Sequence, residues 1–378
     1  MAFAAARSSV WAMQRAISDG ARPKVAAIQA LRAIAALTVA AIHLTDAFAQ
    51  HIDARLTGFP RGEQLAQVAV ALFFVISGCV MVLSSGKLFG WAGGAAVFWR
   101  RRAVRVLPPY WIATGLLVAA MLALGYAVDP DYVARSLVFA GRPAGEGAGV
   151  PFALYLWPGW SLFYELLFYA LFGAFVAFGR TAAVALTALA LGGMVVAGQM
   201  AAPAGMVAYA ATRPVVLLFV AGMGFGLLFE RGWSAPRWAR ALAVLAAAAL
   251  IVFAARPQAA LGFGYLAWAG APAVLVYWAI ASGRQRIPFA RAFARLGDAS
   301  YAIYLLHVPF AHLWMRVFNV WWRHPGGSIG YLALGLPLLI ALSLAFHRWI
   351  ERPLTDRFNR RFGDKPVAAG DLPRTLAP

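Results

Sequence analysis

The feature that most constrains this chain is a series of ten apolar runs, each long enough to cross a lipid bilayer as a helix. About 20 consecutive apolar residues span the hydrocarbon core, where a helix satisfies its own backbone polar groups. Hydrophobic residues make up 62% of the sequence and charged residues only 12%, whereas soluble domains are nearer half apolar and a quarter charged. The sequence therefore predicts an all-α, polytopic membrane protein with about ten transmembrane helices. The runs lie near residues 28–47, 68–86, 108–127, 160–178, 181–199, 213–229, 240–255, 262–281, 300–320 and 330–349.

The distribution of basic residues indicates which side of the membrane holds the termini. The chain carries 33 Lys and Arg against 14 Asp and Glu, for a net charge of +19. An even number of spans puts both termini on one side, and that side then receives 25 of the 33 basic residues. Because cytoplasmic loops are enriched in Lys and Arg, we expect both termini to be cytoplasmic and expect no nucleic-acid partner. The eight basic residues on the opposite side are Arg55, Arg61, Arg135, Arg142, Arg213, Arg256, Arg316 and Arg323.

The membrane-spanning part accounts for most of the chain. We expect a cytosolic N-terminal arm over residues 1–27, a membrane domain over 28–353 and a flexible cytosolic tail over 354–378. Residues 1–24 lack the long apolar stretch of a signal peptide, which favours an arm. The longest external loop, residues 128–159, is rich in turn-forming residues, and we expect it to fold over the outer mouth of the bundle.

The sequence offers no pattern for a metal site or a resident cofactor. Cys79 is the only cysteine, so neither an intrachain disulfide nor a cysteine cluster can form. The histidines do not follow HExxH or a similar ligand spacing, and there is no P-loop. We therefore predict no metal and no permanently bound cofactor. The six histidines are His43, His51, His307, His312, His324 and His347.

Two ionisable residues share one face of the first span. Arg32 and His43 are eleven positions apart, which at roughly 100° and 1.5 Å per residue places them within about 20° and roughly 16 Å of each other. Asp46 follows His43 at i+3, where a carboxylate could orient the imidazole. Ionisable groups inside a span are costly and usually mark function. The alternative is that Arg32 is an anchor at the membrane surface and His43 a buried, hydrogen-bonded core histidine.

Six segments in order resemble the acyltransferase-3 family of integral membrane O-acyltransferases. The first is the arginine and histidine of the first span, separated by ten residues. The other segments are VALFFVISGCVMV (70–82), FWRRRAVRVLPPYW (98–111), GWSLFYELLFY (159–169), LGDASYAIYLLHVP (296–309) and FHRWIERP (346–353). The resemblance extends over residues 28–353 and is strongest to the branch that acetylates bacterial exopolysaccharides.

The resemblance implies an acyl-CoA donor, expected to be acetyl-CoA, and a bacterial inner-membrane location among membrane lipids. The acceptor would be a hydroxyl of an exopolysaccharide or a lipid-linked glycan. Arg is suited to bidentate phosphate binding, and Arg102 and Arg105, at i and i+3, would be presented together by one helical turn. We expect these two residues and Arg32 to bind acyl-CoA. The alternative for the arginine cluster is a basic cytosolic loop that only follows the positive-inside rule. His43 would act as a general base on the acceptor hydroxyl or as a transient acyl carrier.

Further polar residues lie in the fourth and ninth spans. Glu165 has Ser161 at i−4 and Tyr169 at i+4, so one helix face carries a polar stripe. Packing by interhelical hydrogen bonds remains an alternative for several of these side chains. We expect acceptor-side or tunnel roles for Asp46, Ser161, Tyr164, Glu165, Ser300, Tyr304 and His307.

A transporter or flippase for a glycan or lipid is the alternative function, since intramembrane charges suit that class as well. Secondary transporters often carry inverted repeats and paired broken helices, and the sequence shows neither convincingly. A non-catalytic membrane scaffold would not need polar residues aligned on a buried face. The sequence leaves the acceptor sugar, the acyl group and the oligomeric state open.

Overall fold

A computed structural model describes residues 23–51, 61–144, 150–201, 203, 205–256, 261–283, 288–321 and 327–362. Within these ranges the protein is built from α-helices, with short 3₁₀ and π turns and one two-stranded hairpin. The predicted all-α membrane class is confirmed in this coarse form. Most of the predicted N-terminal arm and the end of the predicted tail lie outside the described residues.

The first half of the chain contributes seven helices and the hairpin to the described structure. Strand β1 pairs antiparallel with β2, with Arg142 opposite Ala153. The elements are α1 Pro23–His51, α2 Gly62–Ser84, α3 Gly94–Ala123, α4 Pro130–Leu137, β1 Arg142–Pro143, β2 Phe152–Ala153, α5 Gly159–Phe175, α6 Arg180–Met200 and α7 Met206–Ala211.

The second half contributes seven further helices and two π-helical turns to the described structure. The π turn Leu266–Gly270 lies within α10, and the π turn His347–Glu351 follows α13. The elements are a 3₁₀ turn Pro214–Val216, α8 Leu217–Glu230, α9 Arg237–Phe253, α10 Phe263–Ala281, α11 Ala290–Asp298, α12 Ser300–Trp321, α13 Gly327–Phe346 and α14 Arg352–Phe362.

Each predicted apolar run lies on a helix, but fewer helices than predicted are long and apolar enough to cross a membrane. Among the described residues six helices meet that description. Gly159–Phe175 and Pro214–Glu230 are apolar but shorter; a helix of 17 residues extends about 26 Å, slightly less than the roughly 30 Å hydrocarbon core. The count of ten spans and the side of the termini therefore remain predictions.

Helix α2 lies at the centre of the bundle and packs against α1, α8 and α10. Its contact with α8 depends on glycine, because a Cβ on Gly78 would collide with the backbone oxygen of Phe219, and one on Gly222 with that of Val75. Small residues of this kind allow helix backbones to approach closely in membranes. Helix α12 packs against α1 and α3, and α3 packs against α5. These contacts place α1, α2, α3, α5 and α12 around a common interior.

Candidate active site

A cavity of about 80 Å³ lies between α1, α2, α3, α5 and α12. A buried water needs roughly 10–15 Å³ measured in this way, so the cavity has room for several water molecules. Seven of the eleven predicted site residues line it, and it is therefore where the structure brings most of the predicted site together. They are Arg32, Arg102, Arg105, Ser161, Glu165, Ser300 and Tyr304.

The basic side chains enter the cavity from the beginnings of α1 and α3. Arg32 lies near the start of α1, and Nη1 of Arg32 donates to Oε1 of Gln29 at 3.5 Å. Gln29 in turn donates to Oδ1 of Asp298 at 2.5 Å, which ties α1 to the end of α11. The start of α1, the end of α2 and the starts of α3 and α12 meet at this end of the bundle. Under the predicted topology this end is cytosolic.

Arg102 is held by packing on aromatic rings and by one hydrogen bond. Its guanidinium carbon lies 5.5 Å from the ring centroid of Phe98 and 5.6 Å from that of Tyr169. Nη2 of Arg102 donates to Oγ of Ser84 at 3.3 Å. Nε is buried and has no hydrogen-bond partner among the described residues. An arginine placed in this way keeps donors available for an anion in the cavity.

Glu165 lies in the same cavity as the arginines. Oε1 of its carboxylate accepts hydrogen bonds from Oγ of Ser77, at 2.9 Å, and from the hydroxyl of Tyr169. The polar stripe predicted along α5 is thus divided, because Tyr169 contacts Glu165 while Ser161 contacts another helix. Ser77 was not identified from the sequence, because nothing in the apolar run around this serine indicates a contact with a carboxylate on another helix.

A hydroxyl pair lines the cavity on the side of α5 and α12. Oγ of Ser161 and the hydroxyl of Tyr304 are 2.8 Å apart. Each can also donate to the carbonyl oxygen of Pro158, at 3.0 Å from Ser161 and 3.1 Å from Tyr304. Beyond the pair, the Tyr304 ring lies 5.9 Å from the ring of His307. Ser300, one helical turn before Tyr304, donates to the carbonyl oxygen of Gly297 near the end of α11, 2.8 Å away.

His43 and His307 form a hydrogen-bonded pair beyond this hydroxyl pair. Nδ1 of His43 lies 2.9 Å from Nε2 of His307, and the two rings are stacked with centroids 5.0 Å apart. His307 is completely buried, whereas His43 is half-buried and touches Trp157 edge to face at 4.8 Å. Neither histidine lines the cavity. His43 thus shares its helix with Arg32 but lies outside the cavity, to which it is linked through His307 and the cavity-lining Tyr304.

Two predicted site residues lie apart from this arrangement. Asp46 is half-buried, and the side chain that forms a hydrogen bond with His43 in the described part of the chain is His307 rather than Asp46. Tyr164 is fully buried against Phe74 and Trp160, at centroid distances of 6.1 Å in both cases. Its hydroxyl has no hydrogen-bond partner among the described residues, and it does not line the cavity. Tyr164 therefore belongs to the packing of α5 rather than to the cavity surface.

The external loop extends to the histidine pair through Trp157, which is 37% exposed. The backbone N–H of Tyr155 donates to Oγ of Ser136 at 2.8 Å, and the Tyr110 hydroxyl donates to Ser136 O at 2.9 Å. These bonds fix the loop on α3 and α4. The sequence predicted that the loop covers the outer mouth of the bundle but did not identify Trp157. Helical spacing, which identified the other site residues, does not apply to a residue in a loop.

Known proteins similar to this chain were found in two comparisons. A family profile described as an acyltransferase domain matches residues 25–348. The exopolysaccharide production protein ExoZ of Rhizobium meliloti (strain 1021) is 34% identical over 256 residues, which cover 64% of this chain and 76% of ExoZ. The acyltransferase MdmB of Streptomyces mycarofaciens is 26% identical over 395 aligned positions, which cover 93% of this chain and 96% of MdmB. No solved structure matches the chain.

Proposed function

This chain belongs to the acyltransferase-3 family, and from that membership we propose that it is a membrane O-acyltransferase that uses acyl-CoA as donor and a glycan hydroxyl as acceptor. The coarser statement, a multi-pass membrane acyltransferase, follows from the family and from the apolar helices. The donor, the acceptor, the inner-membrane location and the residue roles are the proposed part. The observation that carries the proposal is one line of polar groups, from the arginine end of the cavity through Tyr304 to the His307–His43 pair.

The donor would bind at the arginine end of the cavity. Acyl-CoA carries several phosphate charges on one end and a thin pantetheine chain on the other. Three arginines line the cavity, namely Arg32, Arg102 and Arg105. Hydrogen bonds between arginine and phosphate are charge-assisted and are therefore stronger than hydrogen bonds between neutral groups. The pantetheine chain would extend from the arginines past Tyr304, so that the thioester approaches His43. This path passes the Ser161–Tyr304 hydrogen bond.

The transfer step needs a base or nucleophile with a free lone pair, and His43 would supply it. As a base, the imidazole takes the proton of the acceptor hydroxyl while its oxygen bonds to the thioester carbonyl carbon. The carbon–sulfur bond then breaks, and the proton passes to the departing CoA sulfur. As a carrier, the imidazole nitrogen bonds to the thioester carbonyl carbon, the carbon–sulfur bond breaks and CoA leaves as thiolate. The acceptor oxygen then bonds to the acyl carbon, the acyl–nitrogen bond breaks, and the hydroxyl proton passes to the CoA thiolate. Both routes use the same nitrogen.

The acceptor would approach from the external side. ExoZ, to which the chain is similar, carries a name that refers to exopolysaccharide production, which supports an exopolysaccharide or a lipid-linked glycan as the acceptor here. Trp157 is the partly exposed aromatic side chain beside His43, whereas Trp160, which precedes the cavity-lining Ser161, is buried. A sugar hydroxyl could therefore reach His43 along Trp157 without entering the arginine end of the cavity.

The test is transfer of labelled acetyl from acetyl-CoA to glycan, in membranes that contain the native chain or His43→Ala. We expect label on the glycan with the native chain and none with His43→Ala, because no other group would take the hydroxyl proton. His312→Ala is the matched control, since His312 is exposed on α12 and does not line the cavity. Equal labelling by His43→Ala would overturn the assignment, and glycan export that changes without any acetylation would favour a transporter.

A further inference from the structure

We propose that His307 is a positioning residue that fixes the tautomer of His43, so that Nε2 of His43 carries the lone pair used in transfer. The inference rests on the proposed role of His43 and adds a function for the second histidine. Its basis is the 2.9 Å separation between Nδ1 of His43 and Nε2 of His307. α1 and α12 bring the two rings together from positions 264 residues apart in the chain.

Two arrangements of hydrogen are compatible with this hydrogen bond. A neutral imidazole has one donor nitrogen and one acceptor nitrogen. In the first arrangement Nδ1–H of His43 donates to Nε2 of His307, which leaves a free lone pair on Nε2 of His43 and a hydrogen on Nδ1 of His307. In the second arrangement Nε2–H of His307 donates to Nδ1 of His43. His43 then carries hydrogen on Nε2 and has no free lone pair, while Nδ1 of His307 is a bare acceptor.

The surroundings of His307 favour the first arrangement. Nδ1 of His307 is fully buried and has no hydrogen-bond partner among the described residues. Ile303 and Tyr304 precede His307 by four and three residues on α12, so their backbone carbonyl oxygens, which are acceptors, lie on the helical turn that the His307 side chain covers. A hydrogen on Nδ1 faces these oxygens favourably, whereas a bare lone pair there would face other lone pairs in a dry interior. Leaving a buried acceptor unpaired in such a place is unfavourable.

The same geometry accounts for what happens when His43 gains a proton. His43 then has hydrogen on both nitrogens, and Nδ1–H keeps its acceptor on His307 throughout. The charge-assisted form of this hydrogen bond is stronger than the neutral one, so the imidazolium that forms during transfer is stabilised. Asp46 was expected from the sequence to have this role, but the orienting contact in the described structure comes from His307.

Nitrogen NMR of histidine-labelled protein in detergent tests the tautomer directly and needs no substrate. We expect His43, identified by loss of its signals in His43→Ala, to be protonated on Nδ1 and bare on Nε2. In His307→Leu the partner acceptor is gone, and His43 should shift to the Nε2–H form that free imidazole side chains prefer in water. Native His43 with hydrogen on Nε2 would overturn the inference.

Kinetics of His307 variants provide the second test. His307→Leu should lower kcat by up to about 10⁴, the loss seen when the group that fixes the tautomer of a catalytic histidine is replaced, with little change in KM for acetyl-CoA. His307→Gln retains an acceptor oxygen near the position of Nε2, and we expect it to recover much of that loss. A purely structural role would lower the melting temperature and give no recovery by Gln beyond Leu.

The two proposals fail in different ways. If His43→Ala retains transfer while NMR shows Nδ1–H on native His43, the histidine pair stands and the proposed function of His43 fails. If His43→Ala abolishes transfer but His307→Leu leaves kcat and the tautomer unchanged, the function of His43 stands and the positioning role of His307 is wrong.

Discussion

Arg102 combines burial, aromatic packing and a hydrogen-bond donor without a partner among the described residues. If its remaining donors bind a phosphate of the donor substrate, Arg102→Gln should raise KM for acetyl-CoA by about 10- to 100-fold, since a charged hydrogen bond contributes roughly 1.5–3 kcal/mol. The loss of kcat at saturating donor should be smaller. Initial rates over a range of acetyl-CoA concentrations measure both quantities.

Arg101→Gln is the matched control for that measurement, because Arg101 is adjacent in sequence but does not line the cavity. Its KM for acetyl-CoA should stay close to the native value. Equal KM values for native protein and Arg102→Gln would contradict donor binding by Arg102.

The sequence predicts those features of the site that depend on the geometry of a single helix. Helical periodicity places Arg32 and His43 on one face of α1 and brings Arg102 next to Arg105. Helical periodicity predicts only neighbours on the same helix and does not predict contacts with distant helices. The sequence therefore indicated Asp46, at i+3, as the group that orients His43. The actual neighbour, His307, is set by the packing of α12 on α1.

At the scale of elements, the contact between α2 and α8 holds one wall of the cavity in place. A Cβ on Gly78 would collide with the backbone oxygen of Phe219, and backbone cannot move aside as a flexible side chain can. We expect Gly78→Ala to lower the free energy of unfolding by about 1–3 kcal/mol, as overpacking of a tight interface commonly does. Thermal unfolding in detergent measures the change.

Gly115→Ala is the control for this substitution, since Gly115 also lies within a helix but a methyl group there would have no neighbouring atom within 4 Å among the described residues. Alanine there should leave the protein unchanged or up to about 1 kcal/mol more stable through helix propensity. A loss of stability in Gly115→Ala as large as in Gly78→Ala would refute the packing explanation.

The external loop is anchored by an exposed ion pair. Asp129 caps α4 by accepting from the N–H groups of Asp131 and Tyr132, and it also pairs with Arg142. The Arg142 guanidinium, through this hydrogen bond, holds the pKa of Asp129 below its usual 3.8. Because the folded pKa is the lower one, the pairing stabilises the loop above about pH 4 and is lost as the pH falls through the folded pKa.

A spin label at Val138, which is 72% exposed, reports this loss. In Val138→Cys combined with Cys79→Ala, we expect restricted label motion at pH 7 and freer motion at pH 3. Adding Asp129→Asn, which keeps a capping oxygen but removes the charge, should give freer motion at both pH values. Identical spectra with and without Asp129→Asn at pH 7 would show that the ion pair does not anchor the loop.

Apolar runs predicted the existence and approximate place of the helices. The reason is that a long apolar segment in a bilayer satisfies its backbone polar groups by forming a helix. They did not predict the π turn at Leu266–Gly270 or the hairpin formed by Arg142–Pro143 and Phe152–Ala153. Both depend on how neighbouring segments pack. The helix Arg352–Phe362 also continues beyond residue 353, where the sequence placed the end of the membrane domain.

For the whole molecule, the charge distribution predicts that the arginine end of the cavity faces the cytosol. Single cysteines test this in a Cys79→Ala background with a membrane-impermeant maleimide applied to intact spheroplasts. We expect Arg135→Cys, on the exposed surface of α4, to be labelled, and Lys87→Cys, exposed after α2, to be labelled only after permeabilisation. The reverse pattern would place the arginines outside and exclude a cytosolic donor.

The central claim is that a thioester entering among the arginines reaches the imidazole of His43. Bromoacetyl-CoA tests it most directly, since Nε2 of His43 would displace bromide and retain the CoA as a covalent adduct. We expect mass spectrometry to find this adduct on His43 in inside-out vesicles, with protection by free CoA and strong reduction in Arg102→Gln. An unmodified His43 in inside-out vesicles, or modification only when the reagent is applied to the external side, would contradict the account.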